Sequence, residues 1–224
     1  MPYILYHYPL CVFSRQVRVL LHELKYKISY CEEKYWLQSQ KLLSLNPAAD
    51  LPVLKSVDSN LTIVGIYPIL EYLIHLNRNW NLLNQKIHII CEIRRLIAWF
   101  NNKMYFEVAN YIFKEKLIKL LSNHESPDAK YLRIAKKNLK FHLEYMTKLI
   151  SDRSFLACDK ISIADIVAAS HISMLDYLGE IEWGKYLVIR EWYSLIKSRP
   201  GFQPLLLDKI LEIKPPSYYK LLDF

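Results

Sequence analysis

Glycine is almost missing from this chain, with 4 copies in 224 residues, while tyrosine reaches 17 and lysine, isoleucine and asparagine are abundant. Genome base composition can drive such a drift by itself. The formal charge of +8 therefore has two sources in contention, compositional drift and an acidic partner such as nucleic acid, a membrane surface or an acidic protein. Cysteine is equally sparse. The four copies, Cys11, Cys31, Cys91 and Cys158, lie far apart, so neither a zinc site nor a disulfide framework is indicated and the expectation is reduced thiols. The seven histidines never fall at i, i+4 from one another, and no metal site is expected. No apolar run approaches the roughly 20 residues that span a bilayer, and MPYILYHYPL lacks a basic region followed by a cleavage site. The expectation is a soluble, cytoplasmic protein that is not an integral membrane protein. With 52% hydrophobic residues the chain can bury a large core as one domain or two.

The first half reads as an α/β unit. Residues 3 to 8 alternate aromatic and polar groups and end at Pro9, a strand pattern. Ser14 to Tyr26 follows with Val17, Leu20, Leu21 and Leu24 at helical spacing, and Ile28 to Cys31 supplies a second strand. This is the β-α-β opening of a thioredoxin-like domain. Between strand and helix sits Cys11-Val12-Phe13-Ser14. A thiol at a helix N-terminus meets partial positive charge that favours the thiolate, so Cys11 is a candidate nucleophile. Inert packing of Cys11 is the competing reading, and Ser14 is read as a helix cap or, in an active enzyme, a second catalytic hydroxyl. Trp36 lies in the charged connection 32–45, EEKYWLQSQKLLSL, as an exposed interface anchor or as a ring packed under its own loop.

NPAADLPVLKSVDSNLTIVGIYPILEYL, residues 46–73, gives strand, turn, strand and helix. Proline opening a strand is one of the few places where a cis bond is worth considering. At Leu51-Pro52 it turns the Leu51 N–H and C=O outward, toward a ligand's peptide group; the ordinary trans bond is the alternative.

Asparagine-rich NRNWNLLNQ then marks a linker, and everything beyond is helical in pattern. The domain assignment is 1–77 thioredoxin-like, 78–85 linker, 86–214 all-helical, and 215–224 a C-terminal tail. Lys86 to Ser122 reads as one long helix, and Ser126-Pro127-Asp128 opens another, with Leu132, Ile134, Leu139, Leu143, Met146 and Ile150 turned inward. Lys114, Lys116, Lys119, Lys130, Arg133, Lys136, Lys137 and Lys140 form a solvated face; aromatic residues are not interleaved as nucleic-acid binding requires, so no nucleic-acid partner is expected. Ser162-Ile163-Ala164-Asp165 is a capping box ahead of the apolar run IVAASHISML, which makes Ser162 and Asp165 structural and His171 a core residue. The tail, PPSYYKLLDF, is too short for its own core and is suited to docking on its own protein or on another.

YHYPLCVFSRQVRVLLHE, the 46–73 stretch and DKISIADIVAASHISMLDYL together resemble the cytosolic glutathione transferase superfamily. That resemblance implies an N-terminal thioredoxin-like domain followed by an all-helical C-terminal domain. It also implies a glutathione site at Leu51, Pro52, Gly65 and Ile66, the last two standing where the family carries a Glu-Ser pair that grips the γ-glutamyl end. Neither can hydrogen-bond a zwitterion, a loss of several kcal/mol at roughly 1.5–3 per charged hydrogen bond. No cofactor is expected on that ground; glutathione returns only if the chain is a transferase or omega-like thiol transferase using Cys11. Within the superfamily, DKISIADIVAASHISMLDYLGEIEW, REWYSLIKSRPGFQPLLLDK and PPSYYKLLDF resemble the FzlA family of alphaproteobacterial division proteins. The resemblance implies a homodimer that binds FtsZ filaments and is recruited to the division site. It further implies a tail, Pro215, Pro216, Tyr218, Tyr219, Leu221, Leu222, Asp223 and Phe224, that reaches septal wall synthesis through the division synthase complex. Trp36 matches an aromatic position near that family's filament-binding surface.

Overall fold

The computed structural model describes residues 2–78, 80, 82–123 and 125–222. The chain divides into two compact units, one of residues 1–80 with 199–209 and one of residues 81–198 with 210–224.

In the first unit, β1 (Pro2–His7), α1 (Val12–Glu23) and β2 (Lys27–Glu32) form the β-α-β opening. After α2 (Gln40–Leu45) come β3 (Val53–Ser56), β4 (Thr62–Val64) and α3 (Ile66–Leu76). The sheet order is β2-β1-β3-β4, with β1 parallel to β2 and antiparallel to β3, so that Leu5 stands opposite Leu54. The buried core combines Leu5, Val53 and Leu54 of the strands with Val17, Leu20 and Leu21 of α1 and Ile69, Leu70 and Leu73 of α3. Helix α1 starts and stops earlier than its apolar spacing suggests. Its first bond is Arg15 N–H to Cys11 C=O at 2.9 Å, and it ends because Lys25 turns to a φ of 57° while the Tyr26 N–H returns to the Leu21 carbonyl at 3.0 Å. Ser14 is consequently the third helical residue, wholly buried, and no side chain caps this helix, which corrects its reading as a cap.

Apolar periodicity alone carries the helical half to residue 214, yet Arg199–Lys209 group with the first unit. Charge explains why. Arg18 grips Asp208 with two bonds of 2.8 and 2.7 Å, Arg15 reaches the same carboxylate at 3.3 Å, and Arg199 holds Glu23 at 3.0 and 2.6 Å. A Cβ at Gly201 would sit 2.6 Å from Glu23 Cγ, so a side chain there would have to displace the Glu23 side chain that Arg199 holds.

The second unit contains α4 (Ile87–Ala98), π-helical turns over Trp99–Ala109, α5 (Asn110–Phe113), further π turns over Lys114–Ile118, and α6 (Lys119–Asn123). Sequence periodicity reads this as one regular helix because a one-residue slip in hydrogen bonding barely alters apolar spacing. Helix α7 (Ala129–Arg153) is capped by Asp128, whose carboxylate accepts the Lys130 N–H at 2.7 Å. Leu139, Leu143, Met146 and Ile150 face inward as expected, whereas Ile134 is exposed. Every residue of α8 (Ile163–Tyr177) is buried, and α9 (Leu187–Lys197) packs beside it. Ser162 and Asp165 form the capping box: Asp165 accepts the Ser162 N–H at 2.8 Å and its hydroxyl at 2.9 Å, then the Leu156 N–H and the Trp192 indole at 3.0 Å each. His171 lies wholly inside this unit, its Nε2 3.1 Å from Asn101 Oδ1.

Candidate functional site

Two places gather the residues that the sequence singles out. In the first unit, Cys11 occupies the N-cap of α1, with its N–H bonded to the Tyr8 carbonyl at 3.0 Å. Its thiol is buried. Burial pushes the thiol's pKa up, and the lowering influence of Ser14 beside it does not offset this. A helix N-terminus lowers a thiol's pKa and apolar burial raises it, so the two act against each other here. Cys11 and Ser14 are both buried, and burial disfavours the charged form of the thiol.

Leu51-Pro52 is cis, and the Pro52 carbonyl accepts the Gly65 N–H at 3.0 Å, holding the start of β3 against the start of α3. Among the described residues no hydrogen bond engages the backbone of Leu51, a residue that is 5% exposed. The other half of the site is bare. Gly65 has φ 85° and ψ 156°, a region that essentially only glycine occupies, so its identity is set by backbone geometry as well as by chemistry. Ile66 is 7% exposed and packs into the core.

Trp36 is half-buried. Its ring stands edge-on to Tyr8 at 4.9 Å and to Tyr35 at 5.3 Å, so the loop-packing role holds for part of the indole, while its neighbour Leu37 is 63% exposed.

The second place is the seat of the tail, within the second unit. Residues Ser217–Lys220 form a 3₁₀ turn that carries Tyr219 to complete burial. The Tyr219 ring meets Tyr177 edge-on at 5.1 Å, and Lys197 Nζ lies 5.8 Å from it and 5.4 Å from the Tyr193 ring. That ammonium, whose side chain is wholly buried, donates to the Leu221 carbonyl at 2.6 Å and stands 3.9 Å from Asp176. Desolvation lowers its pKa to about 8, with Asp176 working in the opposite direction. Pro216 covers Gly179, where a Cβ would lie 3.4 Å from Pro216 Cγ. Tyr219 is thus an anchor within its own unit, which corrects its place among partner-contacting residues: a ring with no exposed surface cannot touch a partner. Pro215, Pro216 and Tyr218 are half-buried, Leu221 and Leu222 are exposed, and Asp223 and Phe224 lie outside the described residues. Sequence reasoning missed Lys197. The available signal was a lysine on the apolar face of α9, beside Ile196 and one turn from Tyr193.

The lysine face behaves as solvated surface. Lys136 and Lys116 pair with Glu180, Lys140 with Glu144 at 3.7 Å and Lys185 with Glu182 at 2.5 Å, so much of this charge is locally balanced. Among the described residues no group of three metal-binding side chains occurs, and no helix is long and apolar enough to cross a membrane.

Comparison with known proteins matches residues 5–79 to the glutathione S-transferase N-terminal domain and residues 113–206 to the glutathione S-transferase C-terminal domain. The chain is 36% identical over 222 residues to FtsZ-localized protein A of Caulobacter vibrioides, covering 98% of this chain and 97% of that one. Among solved structures it is similar to FzlA from C. crescentus, with a TM-score of 0.96 and 35% identity over the whole of both chains. A glutathione S-transferase from Rhodospirillum rubrum F11 superposes with a TM-score of 0.94 at 39% identity, covering 99% of this chain and 100% of that one.

Proposed function

The chain belongs to the glutathione S-transferase superfamily and, within it, to the family of FtsZ-localized protein A, and from that membership we propose that it is an FtsZ-associated, non-catalytic scaffold of cell division. The observation that carries this reading is the pairing of full-length similarity to an FtsZ-localized protein with a crevice whose thiol is buried and whose grip positions are Gly65 and Ile66. A pocket without a nucleophile or a zwitterion clamp has little chemistry to perform, whereas its scaffold still offers surfaces.

In this reading the protein works in the cytoplasm as a homodimer, binds FtsZ filaments and is recruited with them to the division site. Trp36 and the exposed Leu37 supply one contact, and the tail, in which Leu221 and Leu222 are exposed, engages the division synthase complex and so septal wall synthesis. The net charge of +8 assists association with an acidic filament mainly through encounter rate, and weakly at high salt. Co-sedimentation with polymerised FtsZ at micromolar concentration and moderate salt tests the first part: the protein pellets with filaments and stays in the supernatant without them. Deleting residues 222–224, which spares the buried Tyr219 and the Leu221 carbonyl, tests the second, leaving co-sedimentation intact while abolishing support of septal wall synthesis. Absence from the filament pellet overturns the proposal.

One observation favours a second reading. The unengaged backbone of Leu51 is the part of a glutathione site that needs no side chain. A ligand at 100 times its dissociation constant stabilises a protein by about 2.7 kcal/mol. A shift of that size with millimolar glutathione, together with activity lost in Cys11→Ala, would favour the enzyme.

A further inference from the structure

We propose that Cys31 and Lys41 form a peroxide-sensitive site in which oxidation joins the lysine Nζ to the cysteine Sγ through a single bridging oxygen.

The pair is brought together by the fold of the first unit. Cys31 lies in β2, opposite Tyr6 of β1, and Lys41 lies in α2, so that Lys41 Nζ stands 2.7 Å from Cys31 Sγ and 5.0 Å from the Tyr6 ring. Glu33 completes the cluster. Its Oε1 is 2.9 Å from Lys41 Nζ and 3.8 Å from Cys31 Sγ, while its Oε2 accepts the Ser39 hydroxyl at 3.2 Å. The lysine side chain is 54% exposed and Cys31 is half-buried, so a small oxidant can reach the sulfur from solvent. Cys11 is buried and Cys91 is exposed, which gives two comparisons of opposite access in the same molecule.

The chemistry needs two equivalents of hydrogen peroxide. In the first step the sulfur attacks one peroxide oxygen, the O–O bond breaks, and thiol plus peroxide gives sulfenic acid plus water; the sulfur loses two electrons and the peroxide gains them. The ammonium is placed to balance the charge that develops on the attacking sulfur. Hydrogen bonds to Cys31 and Glu33 hold the Lys41 pKa above its ordinary value, the bond to sulfur being the larger influence. Oxidation of the sulfur removes the larger influence while Glu33 stays in place, and the small neutral fraction of this amine, open to water, is the form that reacts. In the second step the neutral amine, the sulfenic acid and a second peroxide give the N–O–S bridge and two waters. One N–H and the sulfenic O–H are lost, the N–O bond forms, and the second peroxide accepts the two electrons. The product closes residues 31–41 into a covalent loop that contains Trp36 and Leu37. The site stands on Cys31 and Lys41 alone, and its readout does not depend on binding to FtsZ.

The experiment treats the purified full chain with micromolar hydrogen peroxide and maps unreduced digests by mass spectrometry. The expected product is a peptide pair joining Cys31 to Lys41, about 14 Da heavier than the two reduced peptides for one oxygen gained and two hydrogens lost, and reverted by dithiothreitol. Cys31 reacts at least about tenfold faster than exposed Cys91, and Cys11 stays unmodified. Lys41→Arg keeps a cation beside the sulfur but abolishes the bridge, leaving a dimedone-reactive sulfenic acid; Cys31→Ser abolishes modification at both positions. Oxidation of Cys31 no faster than Cys91, or a wild-type Cys31 that halts at the sulfenic acid or proceeds to the sulfinic acid without joining Lys41, overturns the proposal.

Discussion

Lys197 and Leu221 are joined by a 2.6 Å hydrogen bond from a buried ammonium to a main-chain carbonyl, and that bond, with Tyr219 packed beside it, fixes where the tail leaves the helical unit. The tail is consequently two things in sequence. Its first part is core, whereas Leu221 and Leu222 expose their side chains.

Lys197→Met removes the donor while keeping a similar apolar volume. It also leaves the wholly buried Asp176 carboxylate without the cation 3.9 Å away, and breaking one side of a buried pair costs about 3–5 kcal/mol, so the urea midpoint falls. The tail loses its fastening. Limited proteolysis followed by mass spectrometry should show cleavage after residue 219 at least several-fold faster than in the parent. An unchanged cleavage rate would mean that Tyr219 alone holds the tail.

Acid should weaken the fold well before its carboxylates titrate. Burial lowers the pKa of His7 to about 3, with Arg18 adding to the effect, and burial lowers that of His171 to about 3, with His142 adding to it. Between pH 6.5 and 3 the unfolded chain binds the two protons that the folded chain refuses, so stability falls as pH falls through that window. At 1.36 kcal/mol per pH unit and per group, moving from pH 6.5 to 5 costs up to about 4 kcal/mol. Urea denaturation at pH 7 and pH 5 measures this. A His171→Asn variant that shows the same slope would remove that residue from the explanation.

Restoring an acidic side chain at position 65 should fail to restore glutathione binding. Gly65→Glu places a Cβ on a backbone with φ 85° and ψ 156°, at a cost on the order of 1–3 kcal/mol. Calorimetry should show no saturable binding of millimolar glutathione, and the denaturation midpoint should fall. Tight binding by this variant would mean that only the carboxylate was missing.

Asp208→Asn tests the attachment of the 199–209 segment. The substitution leaves Arg15 buried at 0% side-chain exposure and Arg18 at 6% without their anion. Breaking one side of such a buried pair costs about 3–5 kcal/mol. Thermal unfolding reads the loss, and Arg199→Ala, on the more exposed pair with Glu23, should cost distinctly less.

The residues alone determined the succession of strands and helices, the capping box at Ser162 and Asp165 and the apolar α8. Each of these depends on neighbours within a turn or two of chain, where apolar spacing and side-chain chemistry act directly. The tertiary structure decided what depends on distant partners or on backbone angles. Arg15 and Arg18 meet Asp208 some 190 residues away, which draws the 199–209 segment into the first unit. Cys11 is buried, Gly65 became obligatory through its φ, and Tyr219 changed from an exposed contact to an anchor because Lys197 and Tyr177 were waiting for it. Local pattern reports how polar a residue's surroundings ought to be; it carries no record of which remote charge, ring or sulfur will arrive there, and those arrivals separate a site from a remnant of one.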